Sequence, residues 1–400
     1  MVAAACTSDD AEGTAPPTTV APPVGLDTFY GVPDPLPDGR PGDLLSYERV
    51  YVDGLQGTQW RVMYLSESIM GDPVVVTGVV LVPESPAPDG GRVAVSWAHG
   101  TEGLADECAP SIDPSKVAQY ATPLLDQGWV VTATDYEGLG TPGRHPYLVG
   151  ESEGRGVLDI VKAAHEIPEA ELGDRYVVWG HSQGGHAALF AGEIAEEWAP
   201  DLELVGVVSG APPSQLLALN AKLQTTPFKH YVAMSVAGLN AGYGDDRAPL
   251  DAVLNAEGIS WLANVDELCS LNLGVAAFVV DFDRFETADP ADVPAWRSII
   301  EENDPGRFTD PIPAPLLIVH GDADEQIPAD SSDQLLEQLC AIGQVAERWV
   351  FPGANHTSVV RESYDDMVRW IADRVDGAAP SDAVVPAGPP VPSTQSCNLG

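Results

Sequence analysis

The residues that could do chemistry begin with a pentapeptide at positions 180–184, Gly-His-Ser-Gln-Gly, which matches the pattern G-x-S-x-G. An apolar run at 176–179 precedes it, and small residues that begin a helix follow it. So tight a turn from strand to helix exposes its central side chain, and the glycines let strand and helix approach. The sequence therefore predicts that Ser182 is a nucleophile at the N-terminus of a helix.

A serine hydroxyl needs a base to take its proton and an acid to hold that base. With this kind of turn the partners follow in the order acid, then histidine, each after a late strand. The apolar run at 316–319 leads into a loop with three acids. We favour Asp324, whose register turns its carboxylate towards the carboxyl edge of the sheet, with Asp322 as the runner-up and Glu325 third.

The predicted base is His356, because it follows the last apolar run, 348–351, in the string Gly-Ala-Asn-His. His99 and His320 each end a strand just before a glycine and are expected to shape loops. The set His320, Asp322 and Asp324 lacks the glycine and the distal glutamate of a calcium loop, so no metal site is expected.

A tetrahedral intermediate also needs two donors for its oxyanion. The backbone N–H of Gln183, the residue after the nucleophile, is the first predicted donor. The second is assigned to Thr101, with Gly100 as the fallback, in the small-residue loop that follows the apolar run at 93–97.

The elements that must position these residues are short apolar runs separated by helical patterns. Continuous runs indicate strands buried on both faces, so the fold class predicted is α/β, a mostly parallel, doubly wound sheet. Three further segments, at 46–51, 60–65 and 74–82, alternate partly between apolar and polar residues. They predict antiparallel strands that precede the parallel ones. The parallel strands are predicted at 93–97, 129–134, 176–179, 204–208, 316–319 and 348–351.

Four parts of the chain are expected. An insertion as long as 212–311 between two strands is usually a lid over a site. The alternative is an insertion with a structural role only. The parts are an export remnant and linker at 1–26, a core at 27–211 and 312–376, a helical cap at 212–311 and a Pro-rich tail at 377–400.

The charge of the chain excludes several classes of function. Its 400 residues carry 60 acidic against 19 basic side chains, a net charge of −41. A surface this acidic repels phosphate backbones and anionic headgroups. The protein is therefore expected neither to bind nucleic acid nor to dock on an anionic membrane. No apolar stretch is long enough to cross a membrane. The acidity is spread along the whole chain, which is typical of adaptation to a salty exterior.

The cysteines point to an exported protein. Cys6 follows small residues and precedes a polar tether, as at the end of a bacterial lipoprotein signal, so lipidation there and an ordinary terminal cysteine are both open. The other four form no CxxC pair, so no zinc site is expected. They predict two disulfides of undetermined connectivity. These four are Cys108, Cys269, Cys340 and Cys397.

Several strings together resemble the secretory lipase family of fungi and actinobacteria: His-Gly-Thr-x-Gly at 99–103, Cys-Ala-Pro-Ser at 108–111, Thr-Asp-Tyr-Glu-Gly-Leu-Gly at 134–140, His-Pro-Tyr at 145–147 and the pentapeptide itself. The resemblance implies an α/β-hydrolase fold with a helical cap and hydrolysis of carboxylic esters, triacylglycerols among them. It also implies the disulfides Cys108–Cys269 and Cys340–Cys397. A yeast member has an acidic residue where this chain has Gly-Thr-Glu, so the second oxyanion donor stays open.

The sequence therefore predicts a secreted or surface-tethered serine ester hydrolase, a lipase or esterase without metal or organic cofactor. We expect a monomer that acts on small or lipid esters, with a neutral lipid–water interface as a further candidate partner. Acyl transfer or peptide cleavage by the same triad, and a non-catalytic binding role, are the alternatives. The large apolar residues of the cap either line an acyl tunnel or form the core of the cap. They include Phe228, Tyr231, Met234, Trp261 and Phe278.

Overall fold

A computed structural model describes residues 18–380, 386 and 391–399. The strands are β1 (Thr18–Val20), β2 (Val32–Asp34), β3 (Leu44–Val50), β4 (Gly57–Glu67), β5 (Pro73–Pro83), β6 (Arg92–Ala98), β7 (Val130–Thr134), β8 (Leu172–His181), β9 (Glu203–Gly210), β10 (Leu316–Gly321), β11 (Ala346–Phe351) and β12 (Ser393–Cys397). The centre of the protein is a ten-stranded sheet in the order β12-β11-β10-β9-β8-β6-β7-β5-β4-β3.

Strands β6 to β11 pair in parallel, and β3 to β5 are the predicted antiparallel strands that precede them. The fold class predicted from the sequence is thus confirmed. The helices are α1 (Pro114–Leu125), α2 (Gly150–His165), α3 (Gln183–Glu193), α4 (Ala195–Trp198), α5 (Leu216–Leu223), α6 (His230–Arg247), α7 (Ala256–Trp261), α8 (Ser270–Phe278), α9 (Pro294–Glu302), α10 (Ala329–Ala341) and α11 (Ser358–Val375).

Helices cover both faces of the parallel strands because these strands are apolar on both sides. Adjacent residues of β8 show this directly, since Val177 belongs to one buried cluster and Val178 to the other. The first cluster is closed by α1 and α11, with Trp370 fully buried. The second is closed by α2, α3 and α10. The central strand β8 is therefore held rigidly from both sides, and the site lies at its carboxyl end.

Five helices, α5 to α9, fill the interval between β9 and β10 and share a buried cluster. The apolar residues whose role the sequence left open have three different positions here. Met234 is fully buried inside the cluster, Tyr231 lines the large cavity described below, and Phe278 is exposed. The division into four parts with the stated boundaries stays a prediction.

The two disulfides in the structure join Cys108 to Cys269 and Cys340 to Cys397, the pairs that the family resemblance implies. The second holds a strand that the sequence did not predict, since β12 pairs antiparallel with β11 at the edge of the sheet. Cys6 lies outside the described residues. No helix within the described residues has the length and apolar character that crossing a membrane requires.

Candidate active site

The turn between β8 and α3 presents Ser182 at the edge of the sheet. Its backbone lies at φ 61° and ψ −124°, a strained conformation for a residue with a side chain. A Cβ atom on Gly184 would come within 1.9 Å of the carbonyl oxygen of Ala98. Only glycine fits there, so the glycine of the motif lets helix α3 pack against strand β6 and fixes the direction of Ser182.

Three predicted side chains form one chain of hydrogen bonds. The Nε2 atom of His356 lies 2.9 Å from the hydroxyl oxygen of Ser182. Its Nδ1 atom lies 2.6 Å from Oδ2 of Asp324. A carboxylate next to Nδ1 favours the tautomer with the proton on Nδ1, so Nε2 is free to accept the proton of Ser182.

Of the three acids in the loop, Asp324 is the one that contacts the ring of His356. Asp322 accepts the backbone N–H of Gly353 through Oδ1, 2.6 Å away, and Glu325 approaches only the backbone N–H of His356, at 3.4 Å. The structure therefore brings together Ser182, His356 and the favoured acid, and leaves both runners-up outside the chain of hydrogen bonds.

The carboxylate of Asp324 is held ionised by its surroundings. Burial by itself would raise its pKa, but hydrogen bonds from His320 and His356 lower the pKa well below its ordinary value. The backbone N–H groups of Gln326 and Ile327 donate to Oδ1 at 2.9 and 2.8 Å. These contacts fix one oxygen and turn the other towards His356.

The loop after β6 approaches the serine closely. A Cβ atom on Gly100 would lie 3.8 Å from Cβ of Ser182. The hydroxyl of Thr101 is 2.9 Å from the phenolic oxygen of Tyr147. Gln183 is the first residue of α3, so its N–H has no acceptor within the helix. Of the two predicted oxyanion donors, Gln183 thus follows Ser182 in the chain, and Thr101 stands in the loop that approaches Ser182 in space.

An open cavity of about 1010 Å³ contains the reactive groups. Ser182, His356 and Thr101 line it, and Tyr231 of the cap contributes to its wall. This volume suits a small-molecule or lipid ester. Among the described residues no group of three His, Cys, Asp or Glu side chains is placed to hold a metal ion.

A family model described as secretory lipase matches residues 117–383, which is 267 of the 400 residues. The chain belongs to the secretory lipase family. It is a carboxylic-ester hydrolase, as the sequence predicts. The matched segment contains Ser182, Asp324 and His356.

Curated relatives of this secretory lipase are similar over most of their length. A secreted triacylglycerol lipase of Malassezia globosa is 27% identical over 88% of this chain and 81% of its own. Lipase A of Moesziomyces aphidis is 24% identical, with 92% and 83% covered. A protein of Mycobacterium tuberculosis named a probable inactive lipase is 25% identical, with 89% and 83% covered.

Solved structures share the fold of this secretory lipase. Candida antarctica lipase A has a TM-score of 0.76 at 22% identity, with 84% of this chain and 83% of that chain covered. A rice cell wall degrading esterase of Xanthomonas oryzae has a TM-score of 0.67 at 18% identity, with 84% and 99% covered.

Behind the serine of this secretory lipase lies a buried polar network that the sequence did not predict. Glu153 of α2 accepts bonds from the side-chain amide of Gln183 at 2.8 Å and from the ring of His186, both on α3. The amide of Gln183 also donates to Nε2 of His145, whose pKa is lowered to about 4 by burial. The other ring nitrogen of His186 faces the carbonyl oxygen of Asn303, next to α9. The network therefore ties the start of α3 to the cap.

Two further residues near the site were given no role from the sequence. His320 was expected only to shape a loop, but its Nε2 lies 3.3 Å from Oδ2 of Asp324. Residues 320–324 run from the end of β10 into a turn rather than along a helix, so their spacing does not indicate this contact. Tyr147 stands in the string His-Pro-Tyr, which was used only as a family resemblance. Its partner Thr101 is 46 residues away in sequence, so no local pattern indicates the contact.

Asp106 gives a pH dependence of stability that can be measured. Burial raises its pKa from 3.8 to about 6, an N–H of Gly140 opposes this, and the charge of Asp266 adds to it. Since the pKa is higher in the folded state, folding binds protons and stability falls as pH rises from about 4 to about 6. We expect Asp106→Asn to raise the melting temperature at about pH 7.5 and to change it little at about pH 3.5.

Thermal unfolding at both pH values checks this expectation. Glu107→Gln is the control, because it removes the same charge from an exposed neighbouring residue. Equal effects of the two substitutions, or an Asp106→Asn effect that does not depend on pH, would contradict the assignment.

Proposed function

We propose that this protein hydrolyses carboxylic esters of lipids through Ser182, His356 and Asp324. The observation that carries the proposal is the continuous chain of hydrogen bonds between these residues at the wall of an open cavity. Relatives named as triacylglycerol lipases support the substrate class. The intact chain of hydrogen bonds supports activity in this chain, although one relative is named a probable inactive lipase.

In the proposed mechanism, the hydroxyl of Ser182 attacks the ester carbonyl while Nε2 of His356 takes its proton. Asp324, hydrogen-bonded at Nδ1, stabilises the imidazolium that forms. The imidazolium then gives its proton to the leaving alcohol, which leaves an acyl group on Ser182. A water molecule, deprotonated by His356, attacks this acyl group and releases the acid.

Two hydrogen-bond donors are proposed to stabilise the negative charge that develops on the carbonyl oxygen. The N–H of Gln183 lies at the N-terminus of α3, where the helix dipole also favours negative charge. The second donor is the hydroxyl of Thr101. Because Thr101 has only one proton to give, the phenol of Tyr147 must donate to its oxygen for that proton to point at the substrate. Tyr147 is therefore a positioning residue that acts through Thr101.

We expect Thr101→Ala to lower kcat for a soluble ester by about a hundred- to a thousandfold, since one oxyanion donor is lost. Tyr147→Phe should lower kcat less, and the double variant should be no slower than Thr101→Ala alone. Thr357→Ala, in the same cavity, is the control and should stay within about twofold. Losses that add in the double variant would show that Tyr147 does not act through Thr101.

The substrate class is tested by product analysis with the purified protein. Triacylglycerol emulsions and p-nitrophenyl esters from acetate to oleate should release free fatty acid. Acyl transfer to an added alcohol in preference to water, or faster cleavage of matched anilides, would favour the alternative uses of the triad.

The site of action is proposed to be outside the cell. The description of the family as secretory and the two disulfides support this, because disulfides persist in oxidising compartments. Surface attachment through Cys6 remains a prediction, testable by mass spectrometry of the protein from its native host.

A further inference from the structure

Helix α8 of the cap presents an apolar face to solvent. Leu271, Val275, Phe278 and Val279 are 82%, 69%, 66% and 85% exposed. Their spacing of four, seven and eight residues places them on one side of the helix. Ten large hydrophobic side chains are exposed among the described residues, and these four lie within nine consecutive positions. So tight a cluster differs from the scattered hydrophobic residues found on most surfaces.

The opposite side of α8 is packed and fixes the direction of this face. Leu273 and Ala277 are buried in the cap, and Gly274 faces the ring of His230, which a Cβ atom there would meet at 3.2 Å. Without a side chain at position 274, α8 can lie against the start of α6. The exposed residues therefore cannot turn inward without separating the two helices.

The apolar face is fixed next to the catalytic cavity. Cys269, which precedes α8, is bonded to Cys108 and forms a β-bridge with Gly103. The N–H of Ser270 donates to the carbonyl oxygen of Glu102 at 2.7 Å. Glu102 and its neighbour Thr101 line the cavity. A surface bound by α8 would therefore lie close to residues that line the cavity of Ser182.

The charge around this face selects what it can bind. Residues 270–280 carry no charged side chain, although 20% of the chain is charged. Exposed acids flank the segment on both sides, Glu267 before it and Asp281 and Asp283 after it. The neighbouring Asp266 is paired with Arg144, and Lys229 donates to the carbonyl oxygen of Val280, so the acids outnumber the cations at this rim. An anionic surface would be repelled by this rim and by the net charge of −41. An uncharged apolar surface meets no such repulsion.

The geometry points to α8 as the segment that docks the enzyme on the surface of a neutral ester droplet. Leu271, Val275, Phe278 and Val279 enter the oily phase, and the acidic rim stays in water. This inference rests on the proposed function, since it names where the lipid phase contacts an enzyme whose cavity is lined by residues bonded to the start of α8.

The test compares two pairs of substitutions in the full chain. Val275→Asn with Phe278→Asn removes the centre of the apolar face. Tyr51→Asn with Met70→Asn, at residues 83% and 62% exposed elsewhere, is the matched control. Each protein is assayed for adsorption to triolein droplets, for hydrolysis of those droplets, and for turnover of dissolved p-nitrophenyl acetate.

We expect the α8 pair to lower adsorption and droplet hydrolysis by roughly tenfold or more, because two apolar side chains no longer leave water. Turnover of the dissolved ester should stay within about twofold, as it should in the control pair. Adsorption of Ser182→Ala should equal that of the wild type, so docking is measured apart from catalysis. If Ser182→Ala still hydrolyses esters, the proposed function fails whatever α8 does.

Three results would overturn the inference. One is unchanged droplet adsorption by the α8 pair. Another is a dimer seen by sedimentation that the α8 pair dissociates without loss of adsorption, since the face would then join two copies of the chain. The third is stronger binding to phosphatidylglycerol vesicles than to neutral droplets at low salt.

Discussion

Ser182→Ala is expected to lower kcat for a soluble p-nitrophenyl ester by about a millionfold, which leaves only background hydrolysis. The hydroxyl is the only group within hydrogen-bonding distance of His356 Nε2 in the described site that can attack a carbonyl. Alanine keeps the backbone of the turn, since the strained φ at 182 disfavours both residues alike. The rate of p-nitrophenol release by the variant and the wild type measures the effect. An unchanged melting temperature shows that the variant is folded.

Ser358→Ala is the control for this substitution. Ser358 also lines the cavity, but its hydroxyl accepts the backbone N–H of Asn355 at 3.0 Å. We expect hydrolysis within about an order of magnitude of the wild type, since only a loop contact is lost. Ester hydrolysis that survives in Ser182→Ala would contradict the proposed mechanism.

Asp324→Asn is expected to lower kcat by about ten-thousandfold while the fold is kept. The amide oxygen must occupy the place of Oδ1, because two backbone N–H groups donate there. The amide NH₂ then takes the place of Oδ2 and donates to Nδ1 of His356. This contact selects the wrong tautomer, with the proton on Nε2, so the ring cannot accept the proton of Ser182.

Asp322→Asn is the matched control, because it makes the same change from carboxylate to amide in the same loop. Its Oδ1 only accepts the N–H of Gly353, and an amide oxygen can do the same. Steady-state kinetics of both variants should separate them by at least about a thousandfold. A larger loss in Asp322→Asn than in Asp324→Asn would reverse the assignment of the acid.

The sequence was sufficient where a local pattern has one structural solution. The buried strands were predicted because a run such as 316–319 is apolar on both sides. The turn at Ser182 was predicted because its glycines permit a contact that any side chain would block. The order of acid and histidine along the chain then located Asp324 and His356, whose distances the structure supplies.

The sequence was insufficient where distant segments decide the structure. Strand β12 is polar, Ser-Thr-Gln-Ser-Cys, and forms because β11 and Cys340 hold it. The carboxylate of Glu153 is buried, although the acidic residues at the start of α2 indicate a solvated helix. Its burial depends on hydrogen-bond partners on α3, which are distant in sequence. Helix α8 carries large apolar residues on both its buried and its exposed side, so hydrophobicity alone did not show that Phe278 faces solvent.

The most direct test of the mechanism is labelling with a p-nitrophenyl alkylphosphonate, which reacts with a serine only where a base activates it and an oxyanion site receives the phosphoryl oxygen. Intact-mass and peptide mass spectrometry should find one phosphonyl group per chain, on Ser182, together with complete loss of ester hydrolysis. Ser182→Ala should take up none. A label on another residue, or hydrolysis that continues in fully labelled protein, would contradict the assignment of Ser182 as the nucleophile.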